Sequence, residues 1–307
     1  MCYARALISL TVMIIVSVFF GQAETQLPEK LVIDASSKPQ SRFFVPIFFA
    51  DHTKLRKNSA SDAAGDGVAA RLYLEPRLHA GEVLGNIFSR TISFTGENIE
   101  VAVRRVSGTA TYTVVESSPE KLVFSGRFLY DGKPEAQAKT EIRDHGRTVC
   151  YDGKCAAAID ASGLLYNPLN WGDPPVTFSQ GKSWVVSIAD PWELGPSGKQ
   201  TVTVMSADPS NHSVTLKRDG TGEGFFADEK KQVSVIRDGK TYTADIVPGR
   251  SHWVGYTTFR EGVVISDELL TVRSVTLTSK ELGSVAALER EYILLNQMPT
   301  ALPEPAK

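Results

Sequence analysis

Cysteine is scarce in this chain. Three occur in 307 residues, at Cys2, Cys150 and Cys155, which excludes a disulfide-dense small scaffold and a multi-cysteine zinc site. Histidine is nearly as thin. His52, His79, His145, His212 and His252 stand apart, with no His-Glu-x-x-His and no i,i+4 pair. No metal site is therefore expected, and no cofactor. After residue 23 no long apolar run follows, so no integral membrane segment is expected in the remainder. Missing too are the Gly-x-Ser-x-Gly elbow of a serine hydrolase and the strand–glycine–helix context of a phosphate cradle. Gly249-Arg250-Ser251-His252-Trp253 lacks the second glycine of such an elbow. Asp219-Gly220-Thr221-Gly222-Glu223-Gly224 suits a β-turn better than a phosphate.

What is present begins at the N-terminus. Residues 1–23 carry one basic side chain, Arg5, then an apolar stretch, then Gly21-Gln22-Ala23 with small residues where a signal peptidase reads. That pattern predicts a cleaved secretory signal peptide, the apolar run being shorter than the roughly 20 residues of a spanning helix. Cys2 lies at the wrong end for a lipoprotein signal. Cleavage leaves 284 residues, and losing Arg5 leaves 32 Lys+Arg against 35 Asp+Glu, a net charge of −3. No nucleic-acid partner is expected, since phosphate binding needs clustered positive charge. The expected address is the periplasm or the cell exterior. A bacterial envelope is favoured, because one cysteine pair and one sequon, Asn211-His212-Ser213, are few for a eukaryotic secretory route.

The two cysteines of the mature chain sit in Cys150-Tyr151-Asp152-Gly153-Lys154-Cys155. Asp-Gly is a strong two-residue hairpin signal, and residues flanking such a turn face each other. A disulfide between Cys150 and Cys155 is expected, closing a short loop and stabilising the chain at the low end of about 0–5 kcal/mol.

From residue 40 the chain reads as β-branched and aromatic runs separated by turn residues. Hairpins are predicted at Asp131-Gly132, Asp219-Gly220, Asp238-Gly239 and Glu261-Gly262, from period-two runs on either side. A strand is expected at 42–49, with Pro46 marking it as edge or bulged, and a loop at 58–67. Helix is expected only at 79–87, while 278–295, where a capping box competes with period-two alternation, is read as strand. The fold class is all-β and mainly antiparallel: a sandwich, a barrel or an open half-barrel of consecutive hairpins. The hairpin rhythm is similar to that of the periplasmic lipoprotein-carrier half-barrels, a likeness of fold that no motif residue carries and that implies no function.

The stretch 160–198 differs, with five prolines and three of the four tryptophans. A long connection of this kind is functional or separates domains. The expected division is an N-terminal β region at 24–170, a C-terminal β region at 171–296, or one continuous β domain, and a disordered tail at 297–307. Tyr166, Asn170, Trp171 and Trp192 form the candidate ligand platform, since exposed aromatics beside amides stack on sugars or grip acyl chains. The competing reading makes the tryptophans core residues.

Three functions remain. The first is an exported binding or scaffold protein for a lipid, a carbohydrate or an envelope-protein partner. The second is a hydrolase with dispersed residues, drawing on Ser251 with a histidine and an acid, or on a pair among Glu141, Asp144, Asp245, Glu268 and Glu289. The third is an assembly module that docks through the 42–49 edge.

Overall fold

Strand dominates for a local reason: Val, Ile, Thr, Tyr and Phe alternate with polar residues, and many of the runs end at a turn residue that accepts positive φ. The computed structural model describes residues 68–144, 147–157, 164–192, 195–227 and 229–298. The predicted signal peptide, the 42–49 strand, the 58–67 loop, His145 and the tail from 299 lie outside the described residues.

The stem of the molecule is four long antiparallel strands. β14 (Lys240–Arg260) pairs with β15 (Val263–Ser279), β15 with β16 (Gly283–Gln297), and β16 with β2 (Val83–Gly96). One arm leaves the stem at β14 through β12 (Ser213–Glu223), β11 (Gly198–Asp208) and β10 (Ser183–Ile188). The other leaves at β2 through β4 (Arg104–Ser117), β5 (Lys121–Tyr130), β6 (Ala136–Arg143), β7 (Thr148–Tyr151) and β8 (Lys154–Ala157). β13 (Gln232–Arg237) pairs with the first half of β14 and with β3 (Glu100–Val101). The all-β, antiparallel expectation holds, as one large open sheet of consecutive strands.

Three two-residue loops join neighbouring strands: Asp152-Gly153, Asp238-Gly239 and Glu261-Gly262, with φ of 47° and 81°, 51° and 73°, and 48° and 77°. Both central residues sit at positive φ, the type I′ geometry whose twist matches that of the flanking strands. Asp131-Gly132 lies in the longer β5–β6 connection.

Two expectations are corrected. Asp219-Gly220 is no turn: it lies inside β12, paired with Val254 and Trp253. Residues 79–87 form no helix. Gly81 makes a turn, and β2 begins at Val83, pairing with β4 from there and with β16 from Asn86 onward. The 278–295 segment is strand, broken only by the turn before Gly283. Gln297 closes β16, and Met298 N–H donates to the Gly85 carbonyl at 2.6 Å, so the expected disordered tail does not start at 297.

The sheet buries one face. Along β12 the even positions Val214, Leu216, Arg218 and Gly220 are buried while odd neighbours are half-buried or exposed, and β14 buries Ser251, Trp253, Gly255, Thr257 and Phe259. Short elements cover that face: α1 (Arg71–Leu74), the segment from Leu164 through α2 (Pro168–Trp171), and β1 (Val68–Ala69) paired with β9 (Thr177–Phe178). They are clipped to the β14–β15 turn, where Gly262 N–H donates to Tyr73 O at 2.7 Å and Tyr166 N–H to Gly262 O at 3.1 Å. Three apolar clusters result: under the β10–β12 arm, under the β4–β7 arm, and inside the end formed by β13–β16. Strands from either side of residue 170 share the sheet.

Candidate functional site

The residues chosen from sequence for a ligand platform do converge, beneath the surface. Tyr166, Asn170, Trp171 and Trp192 are 8%, 5%, 5% and 2% exposed. Instead of facing solvent, they close over the buried face of β12, β14 and β15. The expectation of an exposed aromatic platform is corrected: a β sheet of this breadth leaves one apolar face to be covered, and this aromatic-rich connection covers it.

Arg218 lies at the centre. Gly255, its neighbour on β14, supplies the gap, since a Cβ there would stand 2.8 Å from Leu269 Cδ1 and 3.2 Å from Arg218 Nε. Across this gap Nη2 of Arg218 donates to both Asp267 carboxylate oxygens at 2.7 Å, and Thr257 Oγ1 donates to Asp267 Oδ1 at 2.5 Å. The Trp171 and Trp192 ring centroids lie 4.9 and 5.5 Å from the guanidinium carbon. A cation held over indole faces gains about 0.5–2 kcal/mol, most when water is excluded. Trp253 stands edge-on to Trp192 at 6.2 Å and donates its Nε1–H to Gln200 Oε1 at 2.9 Å, while Gln200 Nε2 donates to the Asn170 carbonyl.

The covering segment is built to hold that shape. Asn167 caps α2 by accepting from Leu169 N–H at 2.9 Å, with Pro168 at the first helical position, where its missing N–H costs nothing. Tyr166 donates its hydroxyl to Gly172 O at 2.8 Å, and Trp184 donates Nε1–H to Trp171 O at 2.6 Å. Burial, and then the nearby negative charge of Asp173, push the Tyr166 phenol well above its ordinary range.

A second buried charge cluster sits two inward positions along the stem, where Arg273 pairs with Ser251. Arg273 is 1% exposed and bonds Glu289 and Glu229, with Nε to Glu289 Oε2 at 2.9 Å and Nη1 to Glu229 Oε2 at 2.7 Å. Its guanidinium carbon lies 4.2 Å from the Phe226 ring centroid. Burial raises the Glu289 carboxyl, Glu229 adds to the rise, and Arg273 opposes it. A third pair joins Arg90 on β2 to the buried Glu291 on β16. Sequence reasoning passed over Arg218, Asp267, Arg273 and Glu291. Their signal was a charged residue at an inward position of a period-two run, as in Val214-x-Leu216-x-Arg218 and Arg273-x-Val275-x-Leu277.

Among the described residues the hydrolase candidates do not assemble. Ser251 is buried, whereas the adjacent His252 points to the opposite face, where its Nε2 lies 3.0 Å from Asp219 Oδ1. Burial works against the Asp219 charge, but bonds from His252 and Lys217 outweigh it and hold that carboxyl below its usual range. Glu141 bonds Arg143, Asp144 accepts from Thr148, Asp245 from Gln232 and Glu268 from Tyr292. The carboxylates proposed for catalysis are thus each engaged by a separate neighbour. Among the described residues no group of three or more His, Cys, Asp or Glu could hold a metal ion. Cys150 and Cys155 are directly opposed in the β7–β8 ladder, one pair beyond the turn-closing pair Tyr151–Lys154. No family model matches the chain, and no curated protein matches it either.

Proposed function

We propose that this chain is an exported envelope protein that binds or scaffolds, and that it engages an envelope-protein partner through the outside of its sheet. One observation supports this above others: the face of the sheet that a small-molecule carrier would leave hollow is occupied by the protein's own side chains. Among the described residues, each of the five buried charged ones, Arg218, Asp267, Arg273, Glu289 and Glu291, has an opposite charge beside it. That is the arrangement of a packed interior, since an unanswered buried charge is costly. Native mass spectrometry of the mature protein, purified gently from its own envelope, tests the reading. The expected spectrum shows the bare polypeptide or a protein complex. A small-molecule mass lost on denaturation would replace it with ligand carriage.

Export carries the cysteine expectation with it. In a two-residue hairpin the pair next to the turn-closing pair is not hydrogen-bonded, and its Cα atoms lie about 4.5 Å apart, within disulfide reach. Thiol alkylation of the unfolded protein is expected only after reduction. Labelling without reductant would remove both the disulfide and part of the case for an oxidising address.

A further inference from the structure

β10 ends one arm of the sheet and, among the described residues, pairs only with β11. Lys182 O accepts from Val204 N–H at 2.9 Å, which sets the phase of the ladder. Trp184, Val186 and Ile188 turn their backbone groups toward β11, while Ser183, Val185 and Ser187 turn theirs outward, because residues two apart in a strand point the same way. None of these three residues takes part in another backbone bond among the described residues. Sheet edges are ordinarily blunted by charge, proline or a bulge. β10 has none of these: its sequence is Ser-Trp-Val-Val-Ser-Ile, and its register with β11 runs without a shift. Val185 is 69% exposed at its middle.

We propose that this edge pairs with β10 of a second copy of the chain, antiparallel about a two-fold axis through Val185. The pattern Ser183-x-Val185-x-Ser187 reads the same in both directions. Val185 then meets its counterpart, Ser183 meets Ser187 of the other copy, and each pair exchanges both of its N–H···O bonds. On the buried face Trp184 comes opposite Val186. No charge opposes another anywhere in the match. A two-fold contact of this kind uses one surface twice and closes at a dimer. Pairing β10 with the far edge β8 would instead leave free ends and grow filaments. The dimer is independent of the function proposed above.

Sedimentation equilibrium of the mature chain over a concentration series is the test, with hydrogen exchange alongside. The expected species at high concentration has twice the monomer mass, and the Ser183, Val185 and Ser187 amides become protected as it forms. Val185→Lys places like charges face to face on the axis and is expected to abolish the dimer, whereas Val185→Thr keeps it. Because Val185 is exposed, both variants should retain the wild-type circular dichroism, and the wild-type melting curve at concentrations low enough for wild type to be monomeric. A wild-type protein that stays monomeric at every concentration would overturn the proposal. So would a dimer that survives Val185→Lys or leaves the three amides unprotected.

Discussion

At the residue scale, two glycines make room for large side chains, Gly255 for Arg218 and Gly220 for Trp253. Gly220 faces the Trp253 indole across the β12–β14 ladder, and a Cβ at 220 would overlap the ring. Gly220→Ala should therefore destabilise the protein by about 1–3 kcal/mol, as overpacking does in a filled core. An unchanged urea midpoint would show that the indole has space to move. Arg273 permits a sharper test. Arg273→Met leaves the buried Glu289 and the half-buried Glu229 side by side without the cation that bonds them, at a cost of about 3–5 kcal/mol. Glu289→Gln keeps the Arg273–Glu229 pair and should cost clearly less. Equal losses in the two variants would mean that charge is not what this cluster contributes. The pH dependence follows from the raised Glu289 carboxyl, with burial its largest cause. A folded-state value above the unfolded one favours folding below the ordinary carboxylate range, and that contribution is lost as pH rises through the folded value. Urea midpoints from acid to neutral pH should thus fall for wild type relative to Glu289→Gln. A parallel course would contradict the assignment.

At the scale of elements, the turns were the most legible part of the sequence. Asp152-Gly153, Asp238-Gly239 and Glu261-Gly262 all form the tight loops expected of them, because positive φ at both central residues is a local demand that few dipeptides meet. Asp219-Gly220 fails for an equally physical reason. The same dipeptide serves as a gap in a strand, and the side chain that needs the gap, Trp253, lies 33 positions later. The covering segment shows the same limit. Its aromatic, proline-rich composition marked it as unusual, yet only the sheet beneath it settles that Trp171 faces inward onto Arg218. Trp171→Ala should remove this cover at a cost of about 3–5 kcal/mol, and limited proteolysis should then cut preferentially within 164–178. Unaltered cleavage kinetics would mean that the segment is held by its other bonds alone.

At the scale of the whole molecule, the decisive contact joins the two ends of the described chain. β16 pairs with β2 from Ala287↔Gly96 to Gln297↔Asn86, so a late strand completes an early one. A cut at 170 would also pass through α2, whose Asn167 cap and Trp171 lie on opposite sides of it. Fragments 24–170 and 171–296, expressed separately, should each lack a cooperative unfolding transition, and mixing them should restore one. Cooperative unfolding of either fragment alone would show two independent domains. Pairing over such separations also makes folding slow, in the millisecond-to-second range of non-local β topologies.

The sequence by itself determined the all-β class, the tight turns and the alternation that divides each strand into an inward and an outward side. These depend on neighbours within a few residues, through φ preferences and period-two burial. Only the tertiary structure decided that Gly220 is a gap, that Tyr166, Asn170, Trp171 and Trp192 are cover rather than platform, and that Arg218 and Arg273 find carboxylates at Asp267 and Glu289. Those outcomes depend on which strand lies next to which, and strand neighbours are set by long-range pairing that no local pattern encodes.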